Sequence, residues 1–192
     1  ILQFCASKKI RVVADECFLR FHPHYEKMSC KRFLKQYPNL LIVNAFTKFY
    51  AMAGLRLGYL MTGDLSLLHA VAQQLPEWNV SSIAQRAGIS ALKDTEYEKR
   101  TRQLIEKERR YLIQEFLKMG CTVFPSEADY ITFRLPQEKT GFLLKERLLE
   151  GKILIRSCAN YRNMPPDCYR IAVKQHADNE ELVRQVWRIL KQ

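Results

Sequence analysis

The sequence lacks the features that mark membrane-spanning, secreted and zinc-binding proteins. None of the apolar runs in its 192 residues reaches the length of a transmembrane helix, and the first residues do not follow a signal-peptide pattern. Its six cysteines are scattered without a C-x-x-C pair, so the usual zinc-ligand spacing is missing. The pair His22-Pro23-His24 has no evident third ligand, and its proline favours a turn, so no metal site is expected. Reduced thiols and a cytoplasmic location fit this cysteine pattern.

Acidic residues are in the minority, and internal repeats and low-complexity segments are absent. Asp and Glu number 20 against 31 Lys and Arg, which gives a net charge of +11. Such a charge suits nucleic acid, membrane surfaces or small anionic ligands. In residues 98–110, however, acids are interleaved with the bases, which is more typical of a solvated helix face than of a nucleic-acid surface. Nucleic-acid and membrane partners are therefore not expected, and a hydrophobic content of 47% indicates a packed globular core.

The stretch NAFTKFYAMAGLRLGYL, residues 44–60, combines a lysine, an arginine and two glycines. Lys48 has apolar and aromatic neighbours, and burial among them would disfavour its charged form and leave an amine that attacks aldehydes. Arg56 lies between Gly54 and Gly58; its guanidinium suits a phosphate, and the glycines allow close approach of a ligand. From residue types alone, a strand–loop–strand with a snorkelling lysine and a surface arginine explains the stretch as well.

Three further charged residues are placed by predicted strands. Asp15 follows the apolar residues 11–14, at the carboxyl end of a strand, where ligands bind in open α/β sheets. A carboxylate there can equally cap the next turn. Arg156 and Arg170 fall in the strand-like segments KILIRSCANY and CYRIAV. An arginine on a strand either clamps a carboxylate or phosphate in a pocket or simply faces solvent.

The order T-K-x-x-x-x-x-G-L-R-x-G-Y resembles the lysine segment of fold-type I pyridoxal-phosphate enzymes, in the class I/II aminotransferase family. Together with ILIRSCANY and YRIAV, it is most similar to the branch of histidinol-phosphate aminotransferases and threonine-phosphate decarboxylases. The resemblance covers essentially all 192 residues, but only about the second half of the family's chain. The family's glycine- and serine-rich phosphate loop is absent, so a fragment of a larger enzyme is expected.

The resemblance implies pyridoxal 5'-phosphate as the cofactor and assigns roles around it. Lys48 would bond the cofactor covalently and transfer protons, and Asp15 would pair with its pyridine nitrogen. Arg56 would anchor its phosphate. Ala45 stands where the family usually has a serine or threonine, which leaves the hydroxyl of Thr47 as a further phosphate ligand.

For the substrate, the resemblance implies a small phosphorylated amino acid or amino alcohol. Arg170 matches the residue that holds the substrate α-carboxylate, and Arg156 matches one placed for the rest of the substrate, such as its phosphate. The expected reaction is decarboxylation of L-threonine O-3-phosphate in cobalamin assembly, which Phe18 favours because it stands where aminotransferases usually have tyrosine. A histidinol-phosphate aminotransferase activity is the alternative, and a non-catalytic truncated module is another. A homodimer is implied, and the chain alone is expected to be inactive.

The predicted fold is α/β: half of a large domain with a mostly parallel sheet, followed by a small α+β domain. The cofactor-binding part is expected at residues 1–94, a linking helix at 95–120 and the small domain at 121–192. Apolar periodicity and turn signals place the main elements. Strands are predicted over 11–14, 40–45, 57–62, 121–124, 130–135, 152–157 and 169–173, and helices over 64–75, 95–119, 140–150 (capped by Thr140) and 179–190.

Overall fold

A computed structural model describes residues 1–139, 141 and 143–191. The chain forms two compact units, Ile1–Lys99 and Arg100–Gln192. Both units combine helices with a β-sheet, which confirms the predicted α/β fold. Every helix in the described part of the chain is too short or too polar to span a bilayer.

The first unit is organised around a small sheet with the strand order β1-β2-β3. Its elements are β1 (Val12–Asp15), β2 (Leu40–Ala45), β3 (Gly58–Thr62), α1 (Leu2–Ser7), α2 (Tyr25–Met28), α3 (Leu65–Gln74) and α4 (Ser82–Lys93), and α5 (Thr95–Lys118) begins at its end. Strands β1 and β2 are parallel, as predicted, with Asp15 opposite Val43. Asp15 is the last residue of β1 and does not follow it, which corrects the predicted boundary by one residue.

Strand β3 runs antiparallel to β2 and forms one edge of this sheet. The reason for the antiparallel direction is the connection, since the loop of residues 46–57 closes on itself through the Phe46–Leu57 hydrogen bond and contains no α-helix to carry the crossover of a parallel pair. Gly58 opens β3 opposite Ala45, where a Cβ atom would lie 3.0 Å from the carbonyl oxygen of Asn44. Strand β1 forms the other edge of this sheet and leaves Val13 62% exposed.

The second unit contains the antiparallel sheet that the sequence predicts, in the order β4-β5-β7-β6. Its elements after α5 are β4 (Thr122–Val123), β5 (Tyr130–Arg134), α6 (Leu144–Glu150), β6 (Arg156–Ser157), β7 (Cys168–Ala172) and α7 (His176–Leu190). Strand β6 is shorter than the predicted strand 152–157. Thr140, predicted to cap the helix that forms α6, lies outside the described residues.

Helix α5 confirms the helix predicted over residues 95–119 to within one residue, although Leu104 of its apolar positions is exposed. Ile105, Leu112 and Phe116 are spaced at helical intervals and are all buried. The Phe116 ring packs on Phe133 of β5 with 4.3 Å between centroids, so the helix covers one face of the second sheet. Gly120 ends this stretch with a φ of +81°, a backbone conformation that glycine adopts without strain.

A buried carboxylate ties α5 to α7. Glu108 is 1% exposed, and its Oε2 lies 3.0 Å from both His176 Nδ1 and Asn179 Nδ2. The Asn179 amide also bonds Lys174, donating to its carbonyl and accepting from its N–H. Burial acts to raise the pKa of Glu108, but the hydrogen bonds from Asn179 and His176 outweigh it and hold that pKa below the ordinary value of 4.5.

This carboxylate gives the second unit an acid-labile contact. Because the folded-state pKa of Glu108 is lowered, its stabilisation is present above the unfolded pKa and is lost as pH falls through the folded pKa. We expect the melting temperature to drop with acidification below about pH 4.5. Glu108→Gln should lower stability at neutral pH by about 1–3 kcal/mol and flatten this acid dependence.

Thermal unfolding followed by circular dichroism between neutral and acidic pH measures both effects. Glu106→Gln is the matched control, since Glu106 lies on the same helix and pairs with Arg110 at the surface. Equal acid dependence in the wild type and Glu108→Gln would contradict the prediction.

Candidate active site

The Lys48 segment is a loop that closes on itself between β2 and β3. The Phe46 N–H donates to the Leu57 carbonyl at 3.0 Å, which joins the two ends of the loop. The Ala51 N–H donates to the Lys48 carbonyl at 3.0 Å, which makes a tight turn directly after the lysine. Lys48 and Arg56 therefore lie near the start and the end of one short, internally bonded loop.

Lys48 itself is exposed, whereas the residues that follow it are buried. Phe49 is 2% and Tyr50 8% exposed. The expectation that Lys48 is buried among its apolar neighbours is therefore not met in this chain. The turn directs the two rings into the core and the lysine outward. The Lys48 ammonium lies 5.9 Å from the centroid of the Phe18 ring, within range of a cation–π interaction.

Asp15 lies at the carboxyl end of β1, in the segment that also contains Phe18. Its Oδ1 accepts a hydrogen bond from the Cys17 N–H at 2.9 Å. The Cys17 side chain and then this N–H hold the pKa of Asp15 below its ordinary value, so the carboxylate is an anion at neutral pH.

Cys17 lies close enough to both Asp15 and Lys48 for its ionisation to depend on their charges. Burial raises the pKa of the Cys17 thiol to about 11, the Asp15 carboxylate adds to the rise, and the Lys48 ammonium opposes it. The structure thus brings the predicted lysine and aspartate into one neighbourhood, with Cys17 and Phe18 beside them.

Arg56 has a left-handed backbone, with φ at 53°, and Ala51 in the same loop has φ at 54°. This conformation costs a non-glycine residue about 1–2 kcal/mol, and such residues cluster at ligand sites. Arg56 is exposed, and its Nη1 donates to the Ala53 carbonyl at 3.2 Å. A Cβ atom on Gly54 would meet no atom within 4 Å, so the loop is open on that side. Thr47, the other predicted phosphate ligand, is half-buried.

The sequence did not point to a polar cluster behind the Lys48 turn. Arg20 Nη1 donates to the Tyr50 hydroxyl at 2.7 Å and forms an ion pair with Glu98. The Tyr50 hydroxyl in turn donates to Glu98 at 2.5 Å. Burial and then the bond to Glu98 raise the pKa of Tyr50, so its hydroxyl keeps its proton. An arginine set among apolar residues, Leu19-Arg20-Phe21, was the only local signal for this cluster.

Arg156 and Arg170 lie in the second unit and face each other there. They are direct partners in the antiparallel register of β6 and β7, so their side chains emerge on the same face. The Arg170 guanidinium lies 4.8 Å from the Tyr130 centroid, and that of Arg156 lies 5.5 Å from the Tyr161 centroid. Like charges directly opposite each other destabilise a sheet, so this pair is suited to an anion that lies between them.

His22 and His24 form the predicted turn, in which the His24 N–H donates to His22 Nδ1 at 3.0 Å. Among the described residues, no group of three or more histidine, cysteine or acidic side chains is arranged to hold a metal ion.

The α/β fold and the proximity of Lys48 to the segment that follows Asp15 suit a class of protein that comparison with known sequences identifies. The chain belongs to the family "Aminotransferase class I and II", whose profile matches residues 1–186. This confirms the family predicted from the lysine segment, which is a family of pyridoxal-phosphate-dependent enzymes.

The relatives that the chain matches have two different activities within this family. The threonine-phosphate decarboxylase of Salmonella typhimurium is 35% identical over 187 residues, which are 97% of this chain and 50% of that protein. The crystal structure of histidinol-phosphate aminotransferase from Clostridium acetobutylicum matches with a TM-score of 0.91 and 31% identity, over 99% of this chain and 57% of that one.

A third relative was solved with its cofactor. Histidinol-phosphate aminotransferase from Sinorhizobium meliloti in complex with pyridoxal-5'-phosphate shares the fold, with a TM-score of 0.87 at 21% identity over 99% of this chain and 52% of that one. The chain therefore spans about half the length of the relatives that it matches.

The left-handed backbone of Arg56 can be separated from its guanidinium by two substitutions. Arg56→Gly removes the Cβ atom that is strained at this φ, whereas Arg56→Ala keeps it, and both remove the charge. We expect Arg56→Gly to be more stable than Arg56→Ala by about 1 kcal/mol in urea unfolding. Ala51→Gly, at the same φ, should also stabilise the chain. If the Gly and Ala variants of Arg56 were equally stable, the backbone would not be under strain.

Proposed function

We propose that this chain is the lysine-bearing part of a pyridoxal-phosphate-dependent enzyme. The observation that carries the proposal is the position of Lys48 just after β2, with its ammonium 5.9 Å from the Phe18 ring in the segment that follows Asp15 of the parallel strand β1. A purely structural module would not need a primary amine close to an anionic carboxylate at the end of a parallel strand. The cofactor in the S. meliloti relative supports the same conclusion.

The side chains present fit this cofactor. Lys48 is an exposed amine that can react with its aldehyde, and Arg56 with Thr47 offers donors to its phosphate. Asp15 stays anionic and would hold a proton at the pyridine nitrogen. When bound, the cofactor supplies a ring that withdraws electrons from the substrate Cα. Lys48 would then give or take the proton at that carbon.

For the substrate, Arg156 and Arg170 favour a molecule with two anionic groups. L-threonine O-3-phosphate has an α-carboxylate for Arg170 and a phosphate for Arg156, and the Salmonella relative is a decarboxylase. Phe18, which lies beside Lys48 and has no hydroxyl, supports the same choice. Our first choice is therefore decarboxylation of this substrate for cobalamin assembly.

Transamination of histidinol phosphate is the second candidate, favoured by the C. acetobutylicum structure. Histidinol phosphate has a phosphate and an amine but no carboxylate, so it can undergo transamination and not decarboxylation. The two candidates therefore differ in whether Arg170 meets a carboxylate on the phosphorylated substrate itself.

The assembly follows from the same proposal. We expect a homodimer, because active sites in this family usually lie at a subunit interface. We also expect a cytoplasmic location. Since the chain spans half of its relatives, we expect it to bind the cofactor without turning over a substrate by itself.

The cofactor proposal is tested by trapping pyridoxal phosphate covalently on the lysine that binds it. The purified chain is mixed with pyridoxal phosphate, reduced with borohydride and digested, and the modified lysines are identified by peptide mass spectrometry. We expect Lys48 to be the preferred site, and Lys48→Ala to lose the visible absorbance band of the bound cofactor. Lys93→Ala, which removes an exposed lysine at the end of α4, is the control and should keep the band. Uniform modification of surface lysines would contradict the proposal.

The substrate proposal is tested by ligand-induced stabilisation. Because two like charges face each other, an anion that binds both arginines should raise the melting temperature. We expect threonine phosphate to stabilise the chain more than histidinol phosphate at equal ionic strength. Arg156→Gln and Arg170→Gln should each abolish most of the difference, whereas Arg162→Gln, an exposed arginine in the β6–β7 loop, should preserve it. Equal stabilisation by both ligands would favour the aminotransferase.

A further inference from the structure

The cluster of Arg20, Tyr50 and Glu98 joins three parts of the first unit. Arg20 follows Asp15 by five residues, Tyr50 follows Lys48 by two, and Glu98 lies in the first turns of α5. Their polar atoms form a closed triangle, in which Arg20 contacts both partners and Tyr50 donates to Glu98. The segment that contains Asp15 and the turn that contains Lys48 are therefore both bonded to Glu98, through Arg20 and Tyr50.

Aromatic rings shield this triangle from water. The Arg20 guanidinium lies 5.2, 5.4 and 5.9 Å from the ring centroids of Tyr25, Tyr50 and Phe49. The side chains of Arg20 and Glu98 are only 22% and 11% exposed. An ion pair in such surroundings is screened little by salt, and removing one partner leaves a charge buried without compensation.

The helix α5 adds a second contact to the same turn. The Tyr97 hydroxyl donates to the Phe49 carbonyl at 3.1 Å, and the Tyr97 ring stacks on Tyr50 with 6.1 Å between centroids. The turn directly after Lys48 is thus held by Tyr97 at the Phe49 carbonyl and by Glu98 at the Tyr50 hydroxyl, while the lysine side chain is exposed.

We propose that Arg20 and Tyr50, together with Glu98, are positioning residues that hold the Lys48 turn against the Asp15 segment. The inference rests on the proposed function, because it assigns the cluster to the placing of the lysine amine. Lys48 has a long, flexible and exposed side chain, so the place of its amine depends on how firmly its backbone is held. The buried triangle supplies that restraint at the two residues after it.

The test measures the reactivity of the Lys48 amine as well as the stability of the fold. The full chain is labelled with pyridoxal phosphate and borohydride, and the modification of Lys48 is divided by that of Lys93 in the same sample. Tyr50→Phe keeps the ring and deletes the hydroxyl, and Arg20→Met deletes the charge. We expect each variant to lower the ratio by about fivefold, the loss expected for one buried hydrogen bond, with Arg20→Met at least as large. Arg20→Lys, which keeps the charge, should recover part of it.

Two controls separate positioning from general destabilisation. Tyr37→Phe deletes a hydroxyl in the same unit, from a ring that packs on Phe33, and should leave the ratio unchanged. Glu108→Gln destabilises the chain at a carboxylate of the second unit, and it should lower the melting temperature without changing the ratio. If Glu108→Gln changed the ratio as much as Tyr50→Phe, the cluster would have a structural role only.

The failure of this inference can be distinguished from that of the proposed function. Preferred labelling of Lys48 that persists in Tyr50→Phe and Arg20→Met would overturn the positioning role and leave the cofactor proposal intact. If wild-type Lys48 is not preferred, the cofactor proposal fails for this chain, and amide hydrogen exchange then decides on the cluster. Faster exchange of the Ala51 and Met52 amides in Tyr50→Phe would support the restraint on the turn, and unchanged exchange would overturn it.

Discussion

The parallel pairing of β1 with β2 is the constraint on which the candidate site depends. Parallel strands end at the same edge of a sheet, so the residues that leave them emerge side by side. Asp15 is opposite Val43 in this register, and the chain reaches Lys48 five residues after Val43. The carboxylate and the amine, far apart in sequence, therefore meet around Cys17 and Phe18. Strand β1 is also an edge strand, since among the described residues it pairs only with β2.

Charges in the first unit are divided between an exposed set and a buried set. Lys48, Asp15 and Arg56 are open to a ligand, and the protein does not neutralise them through a salt bridge among themselves. Arg20 is half-buried and Glu98 is buried, and the two neutralise each other. This division follows from solvation: an exposed charge keeps its water until a ligand replaces it, whereas a buried charge must be paired within the fold. The buried pair can therefore restrain the loop without competing for an anionic ligand.

The second unit brings two like charges together in its sheet. Two arginines are aligned across β6 and β7, and each lies over a tyrosine ring. An aromatic face partly offsets the repulsion of a guanidinium but leaves its edge donors free. An anion that lay between the two guanidinium groups would relieve their repulsion, as in the substrate site proposed above. Backbone strain at Arg56 is a further unfavourable feature that the chain retains at a residue whose side chain suits a ligand.

The sequence by itself determined the family, the long helix α5, the course of most strands and the identity of the residues proposed for the cofactor and the substrate. Local patterns suffice for these features, because helical periodicity and a gapless motif are both written in neighbouring residues. Only the tertiary structure decided that Lys48 is exposed, that β3 turns back antiparallel, and that Arg20 bonds Tyr50 and Glu98, 30 and 78 residues away. Contacts over such separations depend on how segments far apart in sequence pack together, and patterns among neighbouring residues do not predict them. For that reason the sequence assigned no role to Arg20, and its partners became apparent only when the segments after Asp15 and Lys48 were brought against α5.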